Sequence, residues 1–501
     1  MAPPGRSADD AVVTSRRPAP ADAYTPDPRR WRILVVSQVA GFMTLLDVSI
    51  VNVAVPSIQG GLGASADAVQ WVVSGYALTF GLALVPAGRL GDALGRRRMF
   101  LIALTAFVLT SVLAGAAPTT GTLVAARLAQ GLAGGMLTPQ NSGLIQDLFR
   151  GAERGRAFGV FGATVGVSTA VGPVAGGVIL ALAGEQDGWR WVFFVNVPIG
   201  VLALVLAARL LPRKEPSPGV LVRLDFVGGA LLGAAVLAVL FPLVQAEDGG
   251  LRRLWWLFPA AVLLFGVFGW WETRTARPLL EPRLLTDTPG YPAGAAIGLC
   301  YFVGFTGIWL VLALFLQRDL GYSPLHSGLS VTPFALGSAV SAAVGGRLVS
   351  RWGRWVTVTG LVLVAVGLAA TAAVLYLVAG TGAGLAAAPA LLVAGIGGGL
   401  VISPNITLTL QAVPTSMAGA AGGALQTGQR IGSAVGTAVL ASVYYGVLAG
   451  TDDPHAGVAA ALSAAVAVTL LALALAVADV RRHRREDGCD PEHARPHAHW
   501  T

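Results

Sequence analysis

Cysteine, lysine and charge are all scarce in this chain, and each scarcity closes off a class of protein. Two cysteines, Cys300 in an apolar run and Cys489 near the C-terminus, cannot build a disulfide framework. One lysine, Lys214, stands in the sequence PRKEPS. No GxxxxGK[ST] phosphate loop therefore exists, and the chain by itself does not run on ATP. The apolar runs hold neither a Cys/His metal-ligand spacing nor a nucleophile elbow, so no metal, no cofactor and no enzymatic reaction is expected. Charged residues make up 12% of the 501 residues, against roughly 25% in soluble domains. That is too few to cover a water-exposed surface of this size. No apolar stretch follows the opening MAPPGRSADD, so no cleavable signal peptide is expected.

What fills the chain instead is apolar: 54% of residues are hydrophobic, with 65 glycines. A membrane helix takes roughly 20 apolar residues. Segments of that kind fall at 33–55, 69–88, 99–117, 121–146, 158–182, 191–211, 226–244, 254–271, 292–316, 327–346, 356–379, 385–410, 417–447 and 456–478. The expected fold class is therefore an all-α polytopic membrane protein with 14 transmembrane helices. Trp255 and Trp256 at one end of the 254–271 run, and Trp270 and Trp271 at the other, fit interfacial aromatic belts.

The net charge of +8 does not point to nucleic acid, because the arginines sit in short loops between apolar runs. With the N-terminus inside, the inner loops hold Arg96 to Arg98, then Arg150, Arg154 and Arg156, and later Arg351 and Arg354. The outer loops hold Arg190, Arg252, Arg253 and Arg318. The positive-inside rule places both termini in the cytoplasm of a multi-pass cell-membrane protein. A weak repeat adds organisation: GRLGDALGR at 88–96 returns as GRLVSRWGR at 346–354, with Ser350 where the first copy has Asp92. Two six-helix pseudo-repeat bundles, 29–211 and 291–479, with two inserted helices in the linker 212–290, follow from that match. Residues 1–28 read as a disordered tail. The Arg- and His-rich stretch 480–501 reads as a cytoplasmic tail touching anionic lipid. His493, His497 and His499 with Cys489 have nothing to scaffold a metal site.

Five stretches in order carry a more specific likeness. LDVSIVNVAVP at 46–56, GRLGDALGRRR at 88–98, RLAQGLAGG at 127–135, GVSTAVGPVAGG at 166–177 and WRWVFFVNVPIG at 189–200 resemble signatures of the major facilitator superfamily. Within it, they are most similar to its fourteen-helix drug:proton antiporters. The resemblance spans about residues 30–480. It implies an exporter of small lipophilic drugs or antibiotics, driven by a proton gradient without a cofactor, handling substrate and protons among membrane lipids, and working as a monomer. A dedicated exporter of one endogenous metabolite, and a non-transporting membrane sensor, stay open as alternatives.

Asp47 lies inside the first membrane segment, where a carboxylate costs ~2.5 kcal/mol or more. A carboxyl whose charge can be switched is what proton coupling requires, and a permanent structural pair is the competing reading. The resemblance gives Arg127 a role in that coupling. Arginine stays protonated, so it can bias a neighbouring carboxyl but not carry the proton, and snorkelling to the interface competes here. Gly88, Asp92, Gly95, Arg96 and Arg97 are expected to latch the two halves together, and Asp92 suits a helix N-terminus or an Arg across the interface. Gly166, Gly172, Pro173, Gly176 and Gly177 on the fifth segment would allow close helix packing, with a kink at Pro173. A substrate cavity is expected to draw on Asn52, Trp71, Tyr76, Gln140, Asn141, Tyr301, Trp309, Asn405, Gln426 and Arg430. Arg430 stands at membrane depth with no obvious acidic partner in the second half.

Overall fold

The computed structural model describes residues 26–184, 187–213, 225–245, 250–276, 278–378, 380 and 382–488. Its first group of helices is α1 (Arg30–Leu62), α2 (Ala66–Leu94), α3 (Arg96–Gly115), α4 (Thr120–Leu148), α5 (Gly151–Ala183), α6 (Gly188–Phe194) and α7 (Asn196–Leu210). Local chemistry sets their ends. The Ser65 hydroxyl accepts the Ala68 N–H and caps α2, and Thr119 and Thr122 form a reciprocal capping box at α4. Gly95, at φ 93°, makes the turn from α2 into α3, a conformation closed to most side chains.

The expected segment 191–211 is covered by α6 and α7, joined at Val195, which keeps helical dihedrals (φ −59°, ψ −27°). α6 ends at Phe194 and α7 begins at Asn196. Pro198 lacks the N–H that would bond the Phe194 carbonyl, and its ring crowds that position. Asn196, at the start of α7, is fully buried.

The linker contributes α8 (Phe226–Val244), the short α9 (Gly250–Arg253), α10 (Leu257–Glu272) and the short α11 (Arg283–Thr286). The base of the α8–α10 hairpin is tied by the Trp271 indole donating to Asp225 at 2.9 Å and the Leu280 N–H donating to Glu272 at 2.8 Å. The last group is α12 (Tyr291–Ala313), which runs on into a π turn at Leu314–Asp319, then α13 (Pro324–Trp352), α14 (Arg354–Leu377), α15 (Ala383–Thr409), α16 (Ala418–Thr451) and α17 (Pro454–Gly488). The tail residues Cys489, His493, His497 and His499 lie outside the described residues.

Among the described residues, 11 helices are long and apolar enough to cross a membrane. α4, α5 and α10 fall short of that measure, which rests on length and composition alone. Within the first group α1 packs on α5 and α7, α2 on α4, and α3 on α4 and α7. In the last group α12 packs on α16 and α17, α13 on α15, and α14 on α15 and α17. The groups meet where α5 lies against α13 and where α2 lies against α16. α8 covers that second seam, its Leu232, Val236 and Leu240 clustering with Leu78 and Val85 of α2 and with Ala424, Ile431 and Ala434 of α16.

The start of α1 is joined to the start of α5 by Arg30 and Glu153 at 3.0 Å, and the start of α14 to the end of α17 by Arg354 and Asp479 at 2.8 Å. These contacts define one end of the bundle, rich in arginine. The two groups approach closely near this end, at Gly155 of α5 and Gly346 of α13. A Cβ on Gly155 would stand 2.5 Å from the Gly346 carbonyl oxygen and 2.8 Å from the Val349 side chain. Gly155→Leu is therefore expected to hold the Arg-rich end apart, at an overpacking cost of about 1–3 kcal/mol. A thiol placed at the exposed Ser350 should react faster with a membrane-impermeant maleimide in that variant than in the parent.

Candidate functional site

Asp47 is fully buried on α1, and three side chains donate to it. Arg127 of α4 reaches Oδ2 at 2.5 Å, while Gln130 of α4 and Asn196 of α7 reach Oδ1 at 3.1 and 2.9 Å. Ser111 of α3 takes further hydrogen bonds from Gln130 and Asn196, at 3.0 and 3.1 Å. Four helices therefore converge on one carboxylate. Arg127 is itself held in several ways. Its Nε donates to the Val72 carbonyl at 3.0 Å, its Nη1 donates to Gln130 Oε1 at 2.7 Å, and its guanidinium lies 4.2 Å from the Tyr76 ring centroid. At 1% exposure Arg127 does not snorkel to an interface. Its position and rings compensate a charge that isolation from water would make costly.

A second polar cluster sits at the Arg-rich end. Asp92, near the end of α2, accepts the backbone N–H groups of Gly419 and Ala420 at 3.0 and 2.9 Å, at the start of α16. Arg96 stands 2.9 Å from Asp92 and 2.7 Å from Asp147, and donates to the Thr415 carbonyl at 3.1 Å. Gly88 permits this approach, because a side chain there would collide with the Gly419 carbonyl. Arg97 instead donates to Ala208 at 2.6 Å, within the first group. Two weaker ties cross the same end: Arg154 to the Gln411 carbonyl at 3.3 Å and Gln146 to the Ala418 carbonyl at 3.5 Å.

The structure thus holds a buried acid–arginine centre within the first group and an acid seated on a helix N-terminus of the other group. Residues 39–437 match the family described as Major Facilitator Superfamily. The chain belongs to the major facilitator superfamily. As a superfamily member it is a multi-pass membrane transport protein. It is 36% identical over 479 residues to the probable actinorhodin transporter of Streptomyces coelicolor, covering 92% of this chain and 81% of that one. It is 34% identical to the tetracenomycin C resistance and export protein of Streptomyces glaucescens, covering 83% and 77% of the two chains. The multidrug resistance protein Stp of Mycobacterium tuberculosis is also 34% identical, with 84% and 77% covered. Among solved structures, the human organic anion transporter MFSD10 superposes with a TM-score of 0.64 over 90% of this chain and 100% of that one. At 16% sequence identity this likeness speaks to the fold alone.

The remaining residues expected from the sequence divide into several groups. On α5, Gly166 lies beside Ala339 of α13, between the groups, with a Cβ there 3.2 Å from the Ala339 nitrogen. Gly172 and Gly176 face Ser49 and Ile50 of α1, Gly177 faces open space, and α5 continues as helix through Pro173. Gln140 and Asn405 are fully buried inside their own groups. Gln140 donates to the Ala87 carbonyl at 2.9 Å, and Asn405 both accepts from Arg354 at 2.7 Å and donates to the Gly294 carbonyl at 2.9 Å. Their hydrogen-bonding groups face neighbouring helices. Asn141 lies against Gly41 of α1, and Trp71 leans on Phe241 of the inserted α8 at 5.9 Å.

Tyr76 is buried, its hydroxyl donating to the Thr44 carbonyl at 3.2 Å. Asn52 is exposed. Tyr301 and Trp309 share an aromatic cluster with Phe305 and Phe334, and the tyrosine hydroxyl and indole N–H have no hydrogen-bond partner among the described residues. Gln426 reaches Ser142 of α4 at 3.5 Å. Arg430 lies across the seam between the groups, its Cζ 4.4 Å from the Phe80 ring centroid.

Two residues of the Asp47 cluster were missed from the sequence, Asn196 and Ser111. The NVP step at 196–198 was the available signal for Asn196, since a proline two residues on from a polar side chain inside an apolar run marks a junction between helices. No local signal distinguishes Ser111.

Proposed function

We propose that this chain exports lipophilic drugs or antibiotics from the cell by proton antiport, alternating access to a central cavity between two six-helix halves. The observation that carries the coupling is the fully buried Asp47, held by Arg127, Gln130 and Asn196. In this arrangement Arg127 balances the Asp47 charge, and a proton arriving at Asp47 takes over that duty. Arg127 keeps the Val72 carbonyl and the Tyr76 ring as partners when the pair opens, which offsets part of the cost of its unpaired charge. Substrate enters from the cytoplasm or inner leaflet with Asp47 charged. After the halves rock, a proton from outside neutralises Asp47, substrate leaves, and the return step carries the proton inward.

The packing order supports the two-half reading. The pairs α1·α5, α2·α4 and α3·α4 recur as α12·α16, α13·α15 and α14·α15, and the seam α5·α13 has its counterpart in α16·α2. α4 and α5, at 29 and 33 residues, are long enough to cross a bilayer, and their polar and glycine faces turn inward. With α10 they complete fourteen spans, in a monomer with both termini cytoplasmic by the arginine distribution. The Arg-rich end is then the cytoplasmic one. Its closure by Asp92, Gly88 and Gly155 makes this the conformer that faces outward. Asn52, Trp309, Gln426 and Arg430 line the space between the halves, whereas Tyr301 is sealed within the second one.

Relatives named for single antibiotics keep a second reading, a dedicated self-resistance exporter, beside broad efflux. Expression in an efflux-deficient bacterium tests both. Raised tolerance to several unrelated compounds supports broad export, and tolerance to one supports a dedicated exporter. Unchanged susceptibility to aromatic antibiotics of every class, from protein shown to reach the membrane, would overturn both.

A further inference from the structure

The charges at the centre of the bundle are unevenly neutralised. Arg127 has Asp47 at 2.5 Å, whereas Arg430 has no ion pair and no hydrogen bond among the described residues. Its one titratable neighbour of consequence is Tyr76, whose hydroxyl is already donated to Thr44. Arg430 instead stacks on Phe80 of the opposite half at 4.4 Å. Phe80 and Tyr76 stand 5.9 Å apart, and Tyr76 carries Arg127 on its own face at 4.2 Å. Two guanidinium groups therefore flank one aromatic pair, and a carboxylate serves only the first.

Arginine cannot discharge by losing its proton. A ring face offsets part of the cost of removing it from water but satisfies none of its five N–H donors. Arg430 is half-buried, and its nitrogens are not among the sealed, unpartnered polar atoms, so they front open space beside the seam. A planar donor fork at the edge of a buried aromatic pair, with no protein acceptor, is complementary to a planar anion.

We propose that Arg430 is the anion subsite of the substrate cavity, and that the exported class comprises lipophilic molecules bearing a carboxylate. The anion sits on the Arg430 fork, and the apolar body extends from it into the space beside the seam. This assignment rests on reading the space between the halves as the substrate cavity, but not on proton coupling.

A matched pair of probes tests it at equilibrium, without any gradient. Calorimetry on the purified full-length protein, with protein-free micelles as the blank, compares 9-anthracenecarboxylate with 9-anthracenecarboxamide. The parent protein is expected to prefer the carboxylate by about tenfold or more, the scale of one charge-assisted hydrogen-bonded pair. Arg430→Gln is expected to erase that preference while leaving carboxamide affinity unchanged, and Arg430→Lys to keep part of it. Should Arg430→Gln fail to give folded protein, Arg430→Met makes the same comparison without a buried amide. Equal affinity for both probes in the parent, an intact preference in the Gln or Met variant, or parallel weakening of both probes would each overturn the assignment. Failure here leaves the exporter reading standing. Conversely, loss of gradient-driven export in another variant leaves this result untouched.

Discussion

Asp47→Asn is expected to reduce gradient-driven export to the level of protein-free liposomes while the chain still inserts. Asparagine is close to aspartate in shape and keeps an oxygen for Gln130 and Asn196, so the packing of α1 against α4 and α7 survives. What it cannot do is alternate between charged and neutral. It also turns an amide donor, or an uncharged oxygen, toward Arg127, whose Nη1 sits 2.5 Å from the native carboxylate. Breaking a buried pair from one side costs about 3–5 kcal/mol, because the remaining charge is left uncompensated. A fall in thermal stability is therefore expected alongside the loss of coupling, and the two effects must be separated.

The double variant Asp47→Asn with Arg127→Gln separates them. Removing the orphaned guanidinium should recover much of the lost stability, and the interaction term of the four-member cycle should be large and favourable for the native pair. Coupling should stay lost, because no titrating group has been restored. Export and substrate-induced proton release, measured on the same proteoliposome preparations, decide the matter. Export by Asp47→Asn at a rate near the parent's, under an imposed pH gradient, would remove Asp47 from the coupling role.

How far the sequence reached differs between these two clusters. The latch was legible because its parts lie together in one loop, GRLGDALGRRR, and an acid among glycines and arginines between two apolar runs has few structural uses. Asp47 and Arg127 stood out because charge inside an apolar segment is costly and rare. Uncharged polar residues were harder. Gln140, Asn405, Gln426 and Tyr301 all read as possible cavity residues, yet the structure puts the first two into hydrogen bonds within their own groups.

The cause is physical. In a soluble helix the polar face marks water, but here lipid and protein interior are both apolar, so periodicity carries little information about which face a given glutamine occupies. Arg430 shows the same limit from the other side. Its depth was visible from sequence, but its stacking on Phe80 depends on the meeting of α16 with α2 across the seam. The repeat at 346–354 departs from the first copy at Ser350, which stands where the first has Asp92. The structure shows that Ser350 bonds to its own helix, at the Arg347 carbonyl, while Arg354 pairs with Asp479 inside the second group. Among the described residues, the charged contact between the groups is therefore one-sided.

That one-sidedness makes Asp92→Ala the other change with a large expected effect. The Asp92 side chain is 3% exposed and accepts two backbone N–H groups at the start of α16 with Arg96 beside it. Each hydrogen bond to a charged acceptor contributes about 1.5–3 kcal/mol, and alanine leaves both N–H groups buried without a partner. No equivalent carboxylate stands at position 350 to share the load. The gap between the two conformers of a transporter is itself a few kcal/mol, so a loss of this size inverts the resting population.

Spin labels at the exposed Arg98 and Ser350, one on each group at the Arg-rich end, report the outcome by their distance distribution. The parent should show one short population, and Asp92→Ala a dominant longer one, with export greatly slowed. Because the contact is shielded from solvent, raising the salt concentration should not reproduce the effect in the parent. Asp92→Asn, which keeps an acceptor oxygen but not the charge, should fall between the two. An unchanged distribution in Asp92→Ala would mean that the glycine contacts at Gly88 and Gly155 hold this end closed unaided. The carboxylate would then serve only to keep Arg96 in place.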